Sequence, residues 1–176
     1  MLRTQPTFSI NVEVEIDYGQ VYIYAVPPWA NDGKQGYDAM TEALNDAWQS
    51  HRYVGLADGL IDLVTPVQWN FHAPMRIEVW PAEPPADDDN WDHVVDVDLD
   101  VPYGQLCFQA SGGRPAIVCE ERVPSGTYRV RVSGRGYTAA KAGAEGLDAY
   151  RLRLWSRSGN SRPVLRKSWP GWQHAE

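Results

Sequence analysis

Eight carboxylates in three short stretches are the residues of this chain best placed to do chemistry together. They are Glu13 and Glu15, then Asp87, Asp88 and Asp89, then Asp96, Asp98 and Asp100. The first and third sets recur at every second residue. On a strand rising ~3.3 Å per residue they project from one face as a row. Such a row has three uses. It can imitate a phosphate backbone, since duplex DNA carries one charge per ~1.7 Å of axis, and so compete for a nuclease or another DNA-binding protein. It can pair with arginines on a neighbouring strand, each opposite-charge pair contributing roughly 0.2–1 kcal/mol. It can also supply hard oxygen ligands for Ca²⁺. The Asp87–Asp92 stretch has no glycine at a sharp turn and no closing glutamate, so it reads as a solvated acidic loop. No metal and no cofactor is expected.

The groups that serve nucleophilic or acid–base catalysis are scattered. His51, His72, His93 and His174 form no two-histidine metal pair at helix or strand spacing. There is no nucleophile elbow, phosphate loop or dinucleotide fingerprint. Asp92 and His93 are adjacent, which on a strand points their side chains apart. Cys107 paired with a distant histidine lacks a supporting motif, and His72 beside Trp69 and Phe71 reads as a packing or loop residue. The chain is therefore expected not to be an enzyme. Cys107 and Cys119 flank Ser111-Gly112-Gly113-Arg114-Pro115, a hairpin loop. Pairing centred on Gly113 would set the thiols opposite each other. Two reduced, half-buried thiols are the expectation in a reducing compartment.

Charge constrains the partners. Residues 1–100 carry 18 Asp and Glu against 4 Lys and Arg, while residues 101–176 carry 5 against 12, giving the net −7. The basic half is Arg151, Arg153, Arg157, Arg162, Arg166 and Lys167, interleaved with Trp155, Trp169 and Trp172. That mix resembles a nucleic-acid patch. The acidic whole speaks against direct nucleic-acid binding, and a basic tail covering the acidic face in cis explains the same residues. The N-terminal Met-Leu-Arg-Thr-Gln-Pro-Thr lacks the apolar core of a signal peptide. No apolar run approaches the ~20 residues of a membrane span. A soluble, cytoplasmic protein is expected.

The elements that must position these residues follow from periodicity. Residues 9–17 alternate, with Ile10, Val12, Val14 and Ile16 opposite Asn11, Glu13, Glu15 and Asp17. Tyr18-Gly19 turns the chain into a strand over 20–26. A loop with Asn31, Asp32, Gly33 and Gly36 precedes Met40, Ala43, Leu44, Ala47 and Trp48, one stripe of a helix over 39–50 that Asp38 can cap and His51-Arg52 can close. Strands follow over 60–65, 75–80, 94–101, 105–110, 116–121, 127–133 and 150–155, with an uncertain edge strand over 162–169. Residues 81–91, with three prolines and three consecutive aspartates, read as a long exposed loop. Residues 134–149 are Gly/Ala-rich, with Lys141 and Glu145 one turn apart if helical. The sum is one domain over 1–176, mainly β: an antiparallel β-sandwich or jelly-roll-like fold with one packed amphipathic helix. Residues 157–176 form a basic, Trp-containing tail or edge strand.

Several stretches together resemble the competence protein J family, small cytoplasmic inhibitors of a competence-associated DNA-entry nuclease. They are Asp17-Tyr18-Gly19-Gln20-Val21-Tyr22-Ile23, the helix leading to Ala57-Asp58-Gly59-Leu60-Ile61, and Val94–Val101 running into Tyr103-Gly104. Val123-Pro124-Ser125-Gly126-Thr127-Tyr128-Arg129-Val130 and Asp148-Ala149-Tyr150 complete the set. The resemblance covers roughly 9–156 and carries over no binding residue. The basic tail from Arg157 and the loop at 81–92 depart from the family pattern. The resemblance implies a non-enzymatic, nuclease inhibitor-like or immunity-type protein, and the acidic strand faces add the expectation that its carboxylates meet a basic protein partner. The alternative is a homo-oligomer in which acidic strands of one copy meet basic strands of another.

Overall fold

Alternation builds nearly all of the chain. In the computed structural model, residues 5–28, 36–143 and 146–172 are described. Trp29, Asn31, Asp32, Gly33, Glu145 and His174, which figure in the sequence reading, lie outside them. The strands are β1 (Phe8–Asp17), β2 (Gln20–Tyr24), β3 (Val54–Ala57), β4 (Leu60–Val64), β5 (Trp69–Trp80), β6 (His93–Val101), β7 (Cys107–Ala110), β8 (Ile117–Val118), β9 (Gly126–Arg135), β10 (Ala149–Ser156) and β11 (Val164–Lys167). Two helices join them, α1 (Gly36–Gln49) and the short α2 (Tyr137–Lys141). The protein is mainly β, as the pattern predicts.

All strands belong to one hydrogen-bonded sheet in the order β11-β6-β9-β10-β5-β1-β2-β4-β3, with β7 pairing β2 and β8. The pairing is antiparallel except between β10 and β5, which run parallel over Tyr150↔Met75 to Trp155↔Trp80. The expected antiparallel pairing thus predominates, with this one parallel pair making the sheet a mixed one. No local hairpin can join two strands seventy residues apart, so a long crossover delivers β10 beside β5. β1 and β2 share a single register pair, Asp17↔Gln20. β1 then pairs with β5, whereas β2 lies between β4 and β7, so the sheet turns a corner at Tyr18-Gly19.

The main core fills the inner faces: Val14, Ile16, Ile23, Leu63, Ile77, Val97, Val130, Leu152 and their neighbours are fully buried. A second, smaller cluster joins Tyr22, Tyr24, Leu60 and Cys107 to α1 through Ala39 and Ala43. The buried stripe of α1 is Ala39-Ala43-Ala47, one position round from the predicted stripe, and Trp48 is 43% exposed. Small residues let the helix lie against the sheet. A Cβ on Gly55 would sit 1.7 Å from the Ala43 carbonyl oxygen. α1 also begins earlier than predicted, so Asp38 lies in its first turn rather than before it. His51, at φ +55°, is in the left-handed region that stops helices.

Three local expectations change. β3 is too short to show alternation and is absent from the sequence reading. β5 extends back to Trp69 through Pro74, which the pairing tolerates opposite Glu13. Cys107 faces Val118, not Cys119, and the two cysteines are free and buried in different clusters.

Candidate functional site

The outer face of β6, β9 and β10 carries the predicted acidic and basic rows, and the register sets them against each other. Asp96 lies opposite Arg131 and Asp98 opposite Arg129. Arg131 lies opposite Arg153, which in turn lies opposite Glu78 on β5. The result is a transverse line of four charges, Glu78–Arg153–Arg131–Asp96, with a carboxylate at each end of two guanidinium groups.

This ionic face is buried. Arg131 is 0% exposed and grips Asp96 with both ends of its fork, at 2.7 and 2.9 Å. Bidentate pairs of this kind are the strong form of the interaction. Asp98 accepts from Arg129 at 2.8 Å and from the Ser161 amide at 2.7 Å, and Asp100 accepts from Arg157 at 2.5 Å. Burial alone would lower the pKa of Arg131; the hydrogen bonds and charges of Asp96 and Glu83 outweigh it and raise the value. For Arg153, burial and the adjacent Arg151 bring the value down to about 10, so it remains a cation at neutral pH.

The segment expected to be an exposed loop covers this face. Asp87 accepts from Arg151 at 2.7 and 2.8 Å and from Arg153 at 2.5 Å. Burial pushes the Asp87 carboxyl up, but the two guanidinium groups hold it below its ordinary value. Glu83 reaches Arg131 at 3.0 Å, the Pro85 carbonyl accepts from Arg153, and Asp88 pairs with Arg166 at 2.9 Å. Trp91 lies over Arg151 at 4.4 Å. Residues 81–92 are a strap held by arginines, and a short 3₁₀ turn over Asp88–Asn90 leaves Asp89 facing solvent. Hydropathy alone made this stretch look like free loop.

The remaining two candidates lie elsewhere. Glu13 and Glu15 are on β1, separated from β9 in the sheet by β5 and β10. Glu15 is held by Arg114 at 2.6 Å, which lowers its pKa, and Glu13, largely exposed, contacts His72 at 2.6 Å. Six of the eight carboxylates, all but Glu13 and Asp89, thus pair with arginines of the same chain. Among the described residues no group of three or more His, Cys, Asp or Glu could hold a metal ion, and no helix is long and apolar enough to cross a membrane.

The candidate catalytic groups are occupied otherwise. His93 is buried. Its Nδ1 accepts from the Trp169 amide and the Trp172 indole, both at 3.2 Å, and its Nε2–H donates to the Arg52 carbonyl at 2.5 Å. The ring is a clamp that docks the chain after β11 against the core. Burial brings its pKa down to about 4. The unfolded chain takes up this proton near pH 6.5, so the contribution is complete above that pH and is lost as pH falls through about 4. Hydrogen exchange should therefore show residues 164–172 losing protection between pH 6.5 and pH 4. Unchanged protection at pH 4 would show that the clamp is dispensable. Asp92 accepts from the Tyr137 amide, and Cys107 sits in the second cluster, where burial raises its thiol pKa.

Two groups stand out that sequence reading missed. Asp62 on β4 is 0% exposed, and neither carboxylate oxygen has a hydrogen-bond partner among the described residues. Its signal was present: an acid inside Leu-Ile-Asp-Leu-Val breaks an otherwise apolar run. Tyr18, Trp48 and Trp69 are exposed aromatics around one groove, and no periodicity announces them.

No family model matches the chain, and no curated relative does. Two solved structures share its fold. One is described as crocagin biosynthetic gene J, with TM-score 0.54 and 18% identity over 85% of this chain and 97% of that one. The other is ComJ from Bacillus subtilis, an inhibitor of the DNA degrading activity of NucA, with TM-score 0.50 and 15% identity over 89% of this chain and 99% of that one. The resemblance to competence protein J holds at the level of the fold.

Proposed function

We propose that this chain is a non-enzymatic binding protein that restrains a basic partner, a nuclease in the leading case, by presenting carboxylates to it. The observation that carries the reading is the shared fold with ComJ, over nearly all of that inhibitor's length. The net charge of −7 supports it, since an acidic surface steers a basic partner into encounter.

Of the eight carboxylates, Glu13, Asp89 and Asp100 are exposed, and these are the ones assigned to the contact. Glu15, Asp87, Asp88, Asp96 and Asp98 are engaged by arginines at home and less exposed, so a partner would have to displace those arginines to reach them, whereas Asp100 stays 62% exposed beside Arg157. The same in-chain pairing removes the motive for exchanging acidic and basic strands between copies. Localisation of this chain in the cytoplasm belongs to this proposal.

The test is a nuclease-protection assay against DNA-entry-type nucleases, with Glu13→Gln/Asp89→Asn/Asp100→Asn beside the parent. The triple variant should need roughly tenfold more protein for equal protection, with the difference shrinking at high salt. Protection by the triple variant equal to the parent's sinks the carboxylate contact. Absence of protection by the parent sinks the nuclease reading.

A further inference from the structure

Tyr18 and Gly19 form the two-residue turn between β1 and β2, and both have positive φ, +51° and +70°. That pair of angles marks a type I′ turn, whose first position favours Asn, Asp or Gly. A tyrosine there is strained. Its ring is 68% exposed, so packing within the chain does little to offset the strain. A local rule broken without internal gain points outward.

The ring stands beside a groove made of two adjoining recesses of about 290 and 310 Å³. The first lies against Tyr18 and Trp48, the second against Trp69, and Pro66, Gln68 and Lys141 form the ridge common to both. Trp69 is 59% exposed. Solvent-exposed Trp and Tyr clustered at a groove are the composition of binding hot spots. Tyr18 and Trp69 are set side by side by the sheet, because the Gly19 amide donates to the Gln68 carbonyl and Asp17 pairs with Trp69.

Charge narrows the occupant. Lys141 is the only cationic side chain lining either recess among the described residues. One of its three N–H donors is spent on the Gly171 carbonyl. The carboxylate that lines the second recess, Asp148, is closed: buried, with one oxygen accepting from Asn70 and the other from the Tyr150 hydroxyl. Among the described residues, an incoming carboxylate therefore meets an ammonium group and not a free acid. The Gln68 side-chain amide on the ridge can serve both donor and acceptor needs of a peptide backbone crossing between recesses.

We infer that this groove docks an extended internal segment of a partner protein, one that places two bulky apolar side chains in the recesses and an Asp or Glu side chain on Lys141. This surface is separate from the carboxylate contact proposed above, and either can fail without the other.

The experiment uses a fluorescein-labelled nonapeptide library, acetylated and amidated at its ends, with two aromatic or branched residues around Asp or Glu. Matched peptides carry Asn or Gln at that position, and a third set carries a free C-terminal carboxylate instead. Fluorescence polarisation with the full chain should select acid-bearing internal peptides over their amide twins by roughly tenfold. Lys141→Met should abolish that preference, and Trp69→Ala should weaken all selected peptides. Tyr18→Asn should weaken binding while holding or raising Tm, which a merely structural tyrosine would not do. Selection of free-acid peptides alone, equal binding by the Tyr18→Asn/Trp69→Ala variant, or a lower Tm for Tyr18→Asn would each overturn the assignment.

Discussion

Asp62→Asn should make this protein more stable than the parent at pH 8, by several kcal/mol, and leave it nearly unchanged near pH 4. Asp62 faces the second cluster from β4, between Tyr22 of β2 and Gly55 of β3 in the register, where α1 rests on Gly55. Among the described residues no hydrogen-bond donor reaches it, and burial pushes its pKa up to about 8. The unfolded carboxyl titrates near 3.9. Between those values the folded state holds a proton that the unfolded state has released, so stability falls as pH rises. Each unit costs about 1.4 kcal/mol, which over the whole window amounts to on the order of 5 kcal/mol. That is a large fraction of the 5–15 kcal/mol typical of a folded domain. The asparagine keeps the shape and the unsatisfied polar group but has no proton to lose. Urea denaturation of both proteins at pH 4, 6 and 8 should give curves that coincide at the acid end and diverge upward. Parallel profiles across the range would mean that the buried carboxylate is not the source of the pH dependence.

The strands were legible because alternation at period two needs only one face to be apolar. β1, β6, β9 and β10 were found within a residue or two for that reason. What alternation does not reveal is what covers the other face. Asp96, Arg129, Arg131 and Arg153 read as solvent-facing, yet all four are buried. Opposite charges make a polar face as closed to water as an apolar one, and single-sequence hydropathy gives both the same signature. Residues 81–91 are the largely exposed loop that their prolines predict, but its anchors, Arg151, Arg153 and Arg166, lie more than sixty residues away and leave no local signal. The alternating carboxylates were visible in the sequence, and pairing with a basic strand was one of their three readings, but which arginine each meets is set by the β6–β9 register, which no local signal encodes. Tyr18 and Asp62 were visible as misfits, the first in a turn position that wants Asn, the second in an apolar strand. Misfits of that kind mark where the chain serves something other than its own packing.

Arg131→Ala should cost about 3–5 kcal/mol, the usual penalty for removing one member of a buried pair and leaving the other charged and unpaired. Two effects compete. Asp96 loses both of its short bonds to Arg131, and Glu83, being 60% exposed, loses little. Against this, Arg166 already lies 3.6 Å from Asp96 and can close on it, and Arg153 is freed from a like charge directly opposite. Arg166 is itself bound to Asp88, however, so its approach would loosen the strap. The loss of the fully buried fork should therefore win. Arg131→Met/Asp96→Leu removes both charges and both desolvation penalties, and should recover most of the loss. Guanidinium denaturation of Arg131→Met, Asp96→Leu and the double variant forms a cycle whose coupling energy should exceed roughly 2 kcal/mol. A coupling near zero would show that Arg131 and Asp96 do not stabilise each other. The outcome also bears on how partner binding is mapped. If Asp96 is stability-critical, Asp96→Asn weakens any binding assay by loosening the fold, and only the exposed set of Glu13, Asp89 and Asp100 can report on contact itself.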